Sequence, residues 1–307
     1  MRSAYARSWR SGQNPPVPIH LDESADAAYA SAQRYSPRPL TEGELWTVRA
    51  LWALREHRYS PAAWRFFLRS ALERSAAARA DRSQMTRQAR IWGAIGAASW
   101  LAVCRSSRAS DTLRPNALGG LLWWVAVWQM LDWHLGMAEG GDGVAHARLA
   151  PADALTLSRF WLVPLAVGAR RSPKGLPSVV LLGGLTDWLD GALARRSGRT
   201  RLGRDLDSTA DLAFLLASVM AARAAGRITT LGACSLGVRY AAGISLSLTA
   251  VFGRCRRPAI RARPWGAALR VGGLAASTAG WRRAGTLTLL AGAIVPPRST
   301  SPQLSHV

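Results

Sequence analysis

The chain has 307 residues, is 49% hydrophobic, and carries 40 Lys and Arg against 18 Asp and Glu for a formal net charge of +22. So basic a balance restricts the partners to polyanions, either nucleic acid or the anionic surface of a membrane. No zinc finger, RNP-like aromatic strand or basic zipper accompanies the arginines, which sets nucleic acid aside; three scattered cysteines (Cys104, Cys234, Cys255) without a CxxC pair exclude a disulfide framework.

Residues 1–39 begin "MRSAYARSWRSGQNPPVPIH", which lacks the apolar core of a signal peptide and reads as a disordered basic tail. Residues 40–88 have helical periodicity. In "SPAAWRFFLRSALERS", Trp64, Phe67, Leu68, Ala71 and Leu72 share one face, while Arg65, Arg69 and Glu73 take the other. Two readings fit this amphipathic region: a helix in the membrane interface with its arginines on head groups, or a soluble helical hairpin.

Apolar segments then recur. Two extra transmembrane helices are expected within residues 89–149, at 89–105 and 117–138. Asp132 and His134, near the end of the second, are two residues apart and read as interfacial polar groups. The neighbouring Trp123, Trp124, Trp128 and Trp133 suit membrane-interface or helix-packing positions. Six further segments follow, at 150–169, 176–194, 206–224, 229–252, 265–281 and 284–297, and residues 298–307 form a tail. The expected fold is all-α, a polytopic membrane helical bundle. Arginine-rich connections at 195–204 and 253–263 place those loops, and both termini, in the cytoplasm. The arginines of the second loop, Arg254, Arg256 and Arg261 among them, read mainly as topology signals.

Four carboxylates interrupt this apolar sequence in "DWLDGALARRSGRTRLGRDLDSTAD" (187–211). Asp187 and Asp190 are three residues apart and Asp207 and Asp211 four apart, so each pair occupies one helical face. Two helices joined by a turn bring all four together, where mutual repulsion calls for a cation. Hard oxygen ligands favour Mg²⁺, Mn²⁺ or Ca²⁺. Gly191 and Ala194 leave room for a ligand to approach, and Arg195 supplies a phosphate-pairing group. The composite indicates a metal-dependent diphosphate site at a membrane surface. Asp205 reads as a residue of the loop or helix start rather than a fifth ligand. Arg159, within an apolar segment, needs a carboxylate partner, either Asp153 or a motif aspartate.

The stretch resembles the signature of the CDP-alcohol phosphatidyltransferase family, D-x2-D-G-x2-A-R-x8-G-x3-D-x3-D. Asp187, Asp190, Gly191, Ala194, Arg195, Gly203, Asp207 and Asp211 occupy the motif positions, with seven residues rather than eight between Arg195 and Gly203. Upstream, "ALTLSRFWLVP" (154–164) is similar to the opening of the family's first membrane helix at Thr156, Arg159 and Pro164. The resemblance covers residues 150–297, a six-helix core. It implies transfer of a phosphatidyl or related phosphoalcohol group from a CDP-linked donor such as CDP-diacylglycerol to a small alcohol or phospho-alcohol, with release of CMP, in phospholipid biosynthesis. By the same resemblance Asp187, Asp190, Asp207 and Asp211 hold Mg²⁺ or Mn²⁺, Gly191, Ala194, Arg195 and Gly203 border the donor, and Asp211 is the general base. It further implies a multi-pass protein of the cell membrane with its active site facing the cytoplasm, and it allows a homodimer.

Two alternatives compete. A Mg²⁺-dependent membrane prenyltransferase usually carries its aspartate clusters on distant helices, whereas here both lie within 25 residues. A non-catalytic relative would keep the motif without turnover, and the shortened turn and the additional N-terminal region are the features that point to it.

Overall fold

The computed structural model describes residues 41–106, 113–140, 143–197, 200–252, 260–261, 263–295 and 298–299. The expected tail at 1–39, most of that at 298–307, and Arg254 and Arg256 lie outside the described residues, as do the side chains of Arg195 and Arg261. Ten α-helices are described: α1 (Glu42–Glu56), α2 (Pro61–Asp81), α3 (Ser83–Arg105), α4 (Ala117–His134), α5 (Pro151–Gly168), α6 (Leu176–Ser197), α7 (Arg201–Ala224), α8 (Thr230–Phe252), α9 (Pro264–Thr278) and α10 (Arg282–Ile294). Apart from a two-residue antiparallel pairing of Ile260–Arg261 with Arg298–Ser299, the described elements are helical. All-α is therefore the fold class.

Two compact units divide the chain, one ending at Leu68 and the other beginning at Arg69. In the first, Thr41 starts α1 with a capping box: its hydroxyl accepts from Glu44 N (3.3 Å) and Glu44 Oε2 accepts from Thr41 N (3.0 Å). Phe67 stacks edge-on against Trp64, with ring centres 5.7 Å apart, and lies 6.1 Å from Trp46. The apolar stripe expected on α2 forms, yet Trp64, Leu68 and Leu72 along it remain exposed.

In the second unit, α5 packs against both α6 and α7, α6 against α9, α9 against α10, and α10 against α8. One core joins Leu162, Ala166, Val180, Phe214 and Leu274 of these helices. A second joins Met85, Trp124 and Leu131 of α3 and α4 to Leu157, Phe160, Leu202 and Leu206 of α5 and α7. The α3–α4 contact is reciprocal. A Cβ on Gly96 of α3 would lie 2.1 Å from the Trp124 ring, and one on Gly120 of α4 would lie 2.2 Å from the Trp100 ring. Each indole also donates to the opposing backbone, Trp124 Nε1 to Gly93 O (2.7 Å) and Trp100 Nε1 to Ala117 O (2.8 Å). These tryptophans are therefore helix-packing residues.

Three expectations change. α3 begins at Ser83, earlier than the apolar run at 89. The connection expected at 195–204 is mostly helix: α6 runs to Ser197 and α7 begins at Arg201, with Thr200 Oγ1 accepting from Gly203 N (2.9 Å) as its cap. Arginine is a good helix former, so a run of it does not by itself mark a loop. Asp132 is buried rather than interfacial, bonded to Ser75 Oγ (3.0 Å) and ion-paired with Arg79, and His134 bonds Met130 O at 2.7 Å. No helix among the described residues is both long and apolar enough to cross a membrane. The 15-residue α9 and the 13-residue α10 are short, about 22 and 20 Å against a hydrocarbon core of about 30 Å. In the longer α6 and α7, the charged groups of the 187–211 motif lower the mean hydropathy.

Candidate active site

Three helices build the site, and each contributes one face. α5 starts at Pro151, whose missing N–H suits the first helical position. Asp153 caps that start by accepting from Ala150 N at 2.7 Å. From Asp153 the three-residue steps to Thr156 and Arg159 keep all three on one side of the helix, and all are buried. That side faces Asp187 and Asp190 of α6 and Asp207 and Asp211 of α7.

Arg159 is the hub. Only 1% of its surface is exposed. Nη1 donates to Asp207 Oδ1 at 2.8 Å and to Asp211, while Nη2 lies 3.4 Å from Asp190 Oδ2 and 3.5 Å from Asp187 Oδ1. The partner expected for it thus proves to be all four motif aspartates together, and Asp153 is not among them. Its Nε is buried without a hydrogen-bond partner.

The aspartates are not equivalent. Asp187, Asp207 and Asp211 are half-buried, and one oxygen from each lies within 4.8 Å of the others. Asp190 is more deeply buried, lies against Asp207 of that trio, and accepts from Thr156 Oγ1 at 2.7 Å. One guanidinium against four carboxylates leaves most of their charge uncompensated. A group of hard oxygen donors with surplus negative charge fits a divalent cation.

A cavity of about 770 Å³ opens beside this group. Its lining includes Asp187, Asp190 and Asp207 together with the apolar Leu185, Trp188 and Val271. Gly191, Ala194 and Gly203 border it, whereas Asp211 does not line it. Small size matters at Gly203, where a Cβ would sit 2.9 Å from Asp153 Oδ1 and 3.1 Å from Thr200 Oγ1. Asp205 points elsewhere, pairing with Arg201 (3.7 Å) and Arg204 (4.0 Å), as befits a residue near a helix start. Sequence reasoning did not assign Thr156 its bond to Asp190, although the spacing of Thr156 and Arg159 placed them on one face.

Residues 149–296 match the family model for CDP-alcohol phosphatidyltransferase. This part of the chain is a CDP-alcohol phosphatidyltransferase domain. Comparison with curated proteins and with solved structures returns no match. The domain's limits agree with the helices that carry the site, since α5 begins two residues after 149 and α10 ends at Ile294. Members of the family transfer a phosphoalcohol group from a CDP-alcohol to an alcohol acceptor and are generally divalent-metal dependent. The three-aspartate group of this CDP-alcohol phosphatidyltransferase domain is consistent with such a metal.

Proposed function

We propose that the protein transfers a phosphatidyl group from CDP-diacylglycerol to a small alcohol or phospho-alcohol, releasing CMP, in phospholipid biosynthesis. The observation that carries this reading is the convergence of Asp187, Asp207 and Asp211 beside a cavity whose lining is divided between carboxylates and apolar side chains. A diphosphate with a lipid tail has that same division of character. Asp187, Asp190, Asp207 and Asp211 would hold Mg²⁺ or Mn²⁺, which when bound offsets charge on the diphosphate and the departing CMP.

The chain's own residues then have defined tasks. Gly191, Ala194 and Gly203 allow the nucleotide to approach the backbone, and Arg195 pairs with phosphate. Leu181, Leu185 and Trp188, all exposed on α6, offer the acyl chains an apolar surface. Asp211 accepts the proton of the acceptor hydroxyl as that oxygen bonds to phosphorus and the bond to the CMP oxygen breaks. Asp190, bonded to Thr156, orients the α6 side of the site.

In this reading the protein is a multi-pass protein of the cell membrane with the aspartate site at the cytoplasmic face. Large apolar side chains exposed on several helices support it, among them Leu118 and Leu122 on α4, Leu216 and Met220 on α7 and Leu287 on α10. Residues 89–149 supply two further membrane helices, and the uncovered stripe on α2 lies in the interface.

The test is CMP release by purified protein in lipid, with CDP-diacylglycerol, Mg²⁺ or Mn²⁺, and a panel of alcohols. Metal-dependent CMP release with one acceptor is the expected result. Release of pyrophosphate from a prenyl diphosphate instead would replace this reading with the prenyltransferase. Donor binding with no CMP from any acceptor would identify a non-catalytic relative.

A further inference from the structure

Two sets of hydrogen bonds join the helices before the family domain to the segment that leads into α5 and touches the start of α7. Gln88, half-buried on α3, clamps a single residue from both sides: its Oε1 accepts from Leu149 N (2.9 Å) and its Nε2 donates to Leu149 O (3.3 Å). Leu149 is buried and precedes Pro151, the first residue of the helix bearing Asp153, Thr156 and Arg159. Arg82, between α2 and α3, donates through Nη1 to Leu135 O (2.6 Å) and Ala138 O (3.3 Å). The next carbonyl, Glu139 O, accepts from Arg201 N at 3.0 Å. That amide is the first of α7, one of the helix-start donors that have no partner within their own helix.

The segment between these points is tied to itself by His146 N donating to Ala138 O (2.8 Å) and Gly140 N donating to Val144 O (2.9 Å). On its far side, Asp153 at the start of α5 abuts Gly203 in the first turn of α7. A single strap therefore seats both helix starts, and Gln88 and Arg82 hold the strap.

We infer that Gln88 and Arg82 are positioning residues for the aspartate site, and that the helices preceding the family domain act as its brace. Arg159 on α5 must meet Asp207 and Asp211 on α7, so the offset between the two helix starts sets that geometry. Displacement of reacting groups by even an ångström is costly in rate. The inference rests on the proposed function only for its kinetic effect; the structural effect is independent of it.

The test uses full-length protein in lipid, with Gln88→Ala, Gln88→Glu and Arg82→Met. Hydrogen exchange in Gln88→Ala is expected to rise at residues 150–156 and 201–207 and to stay unchanged in α9 and α10. CMP release is expected to show kcat lowered roughly ten- to hundredfold with the donor KM little changed. Gln88→Glu keeps the acceptor for Leu149 N but sets a carboxylate oxygen against Leu149 O, so it also raises exchange at 150–156, while Arg82→Met raises exchange at 201–207. Unchanged exchange at 201–207 in both Gln88→Ala and Arg82→Met would overturn the inference, as would a rise shared by every helix. Should the wild-type protein release no CMP, the proposed function fails while the exchange pattern still decides on the brace.

Discussion

Arg159 and Asp211 show how single residues divide the labour of the site. Arg159 is buried against four carboxylates, so its removal leaves like charges facing each other without a counter-charge. Arg159→Met should lower stability in chelator by about 3–5 kcal/mol, the usual cost of breaking a buried ion pair. Mg²⁺ should restore much of that loss if the aspartates hold it; thermal unfolding with and without EDTA reads both effects, and equal loss in the two conditions would place the metal elsewhere. Asp211→Asn keeps the size of the side chain and removes its capacity to take a proton. It should reduce CMP release by roughly two to four orders of magnitude while equilibrium binding of CDP-diacylglycerol persists. Turnover at the wild-type rate would show that another group accepts the proton.

At the scale of helices, close contact depends on residues without side chains. Gly96 and Gly120 each receive a tryptophan ring from the opposing helix, and both rings are held by hydrogen bonds that prevent them from moving aside. Gly96→Ala or Gly120→Ala should each cost about 1–3 kcal/mol as an overpacked contact, seen as a lower midpoint of thermal unfolding. An unchanged midpoint in both would mean that α3 and α4 part and repack freely. The helices themselves were largely legible in the sequence, because apolar runs and turn residues repeat along it. The aspartates were legible for a further reason: spacings of three and four residues leave few ways to arrange them on helices. The helix start at Arg201 was harder, since the flanking arginines look like loop residues until the capping Thr200 is seen in place. Gln88 was invisible. Its bond to Leu149 spans 61 residues, and a lone polar residue on a helix carries no periodic signal of a distant partner.

The whole molecule combines a strongly basic composition with exposed apolar side chains on most of its described helices, including Leu181, Val238 and Leu287. Protein made in cells should remain with the membrane fraction after alkaline carbonate extraction, as membrane-embedded chains do, even though no described helix meets the length and hydropathy of a lone spanning segment. Recovery in the supernatant would restrict the chain to a peripheral association. Embedding of the bundle as a unit would explain how helices weakened by Asp187, Asp190 and Asp207 persist there: these charges turn toward Arg159 rather than outward to lipid.

The strap between Leu135 and Leu149 also has a consequence in time. Ribosomes deliver a chain from its N-terminus at a pace of about 5–20 residues per second. Gln88 and Arg82 therefore emerge seconds before α5, and α5 before α7. In a chain that folds as it is made, α5 would meet a surface already present, and α7 would bring Asp207 and Asp211 onto an arginine already in place. A chain begun at residue 149 would have to find the same arrangement without a template.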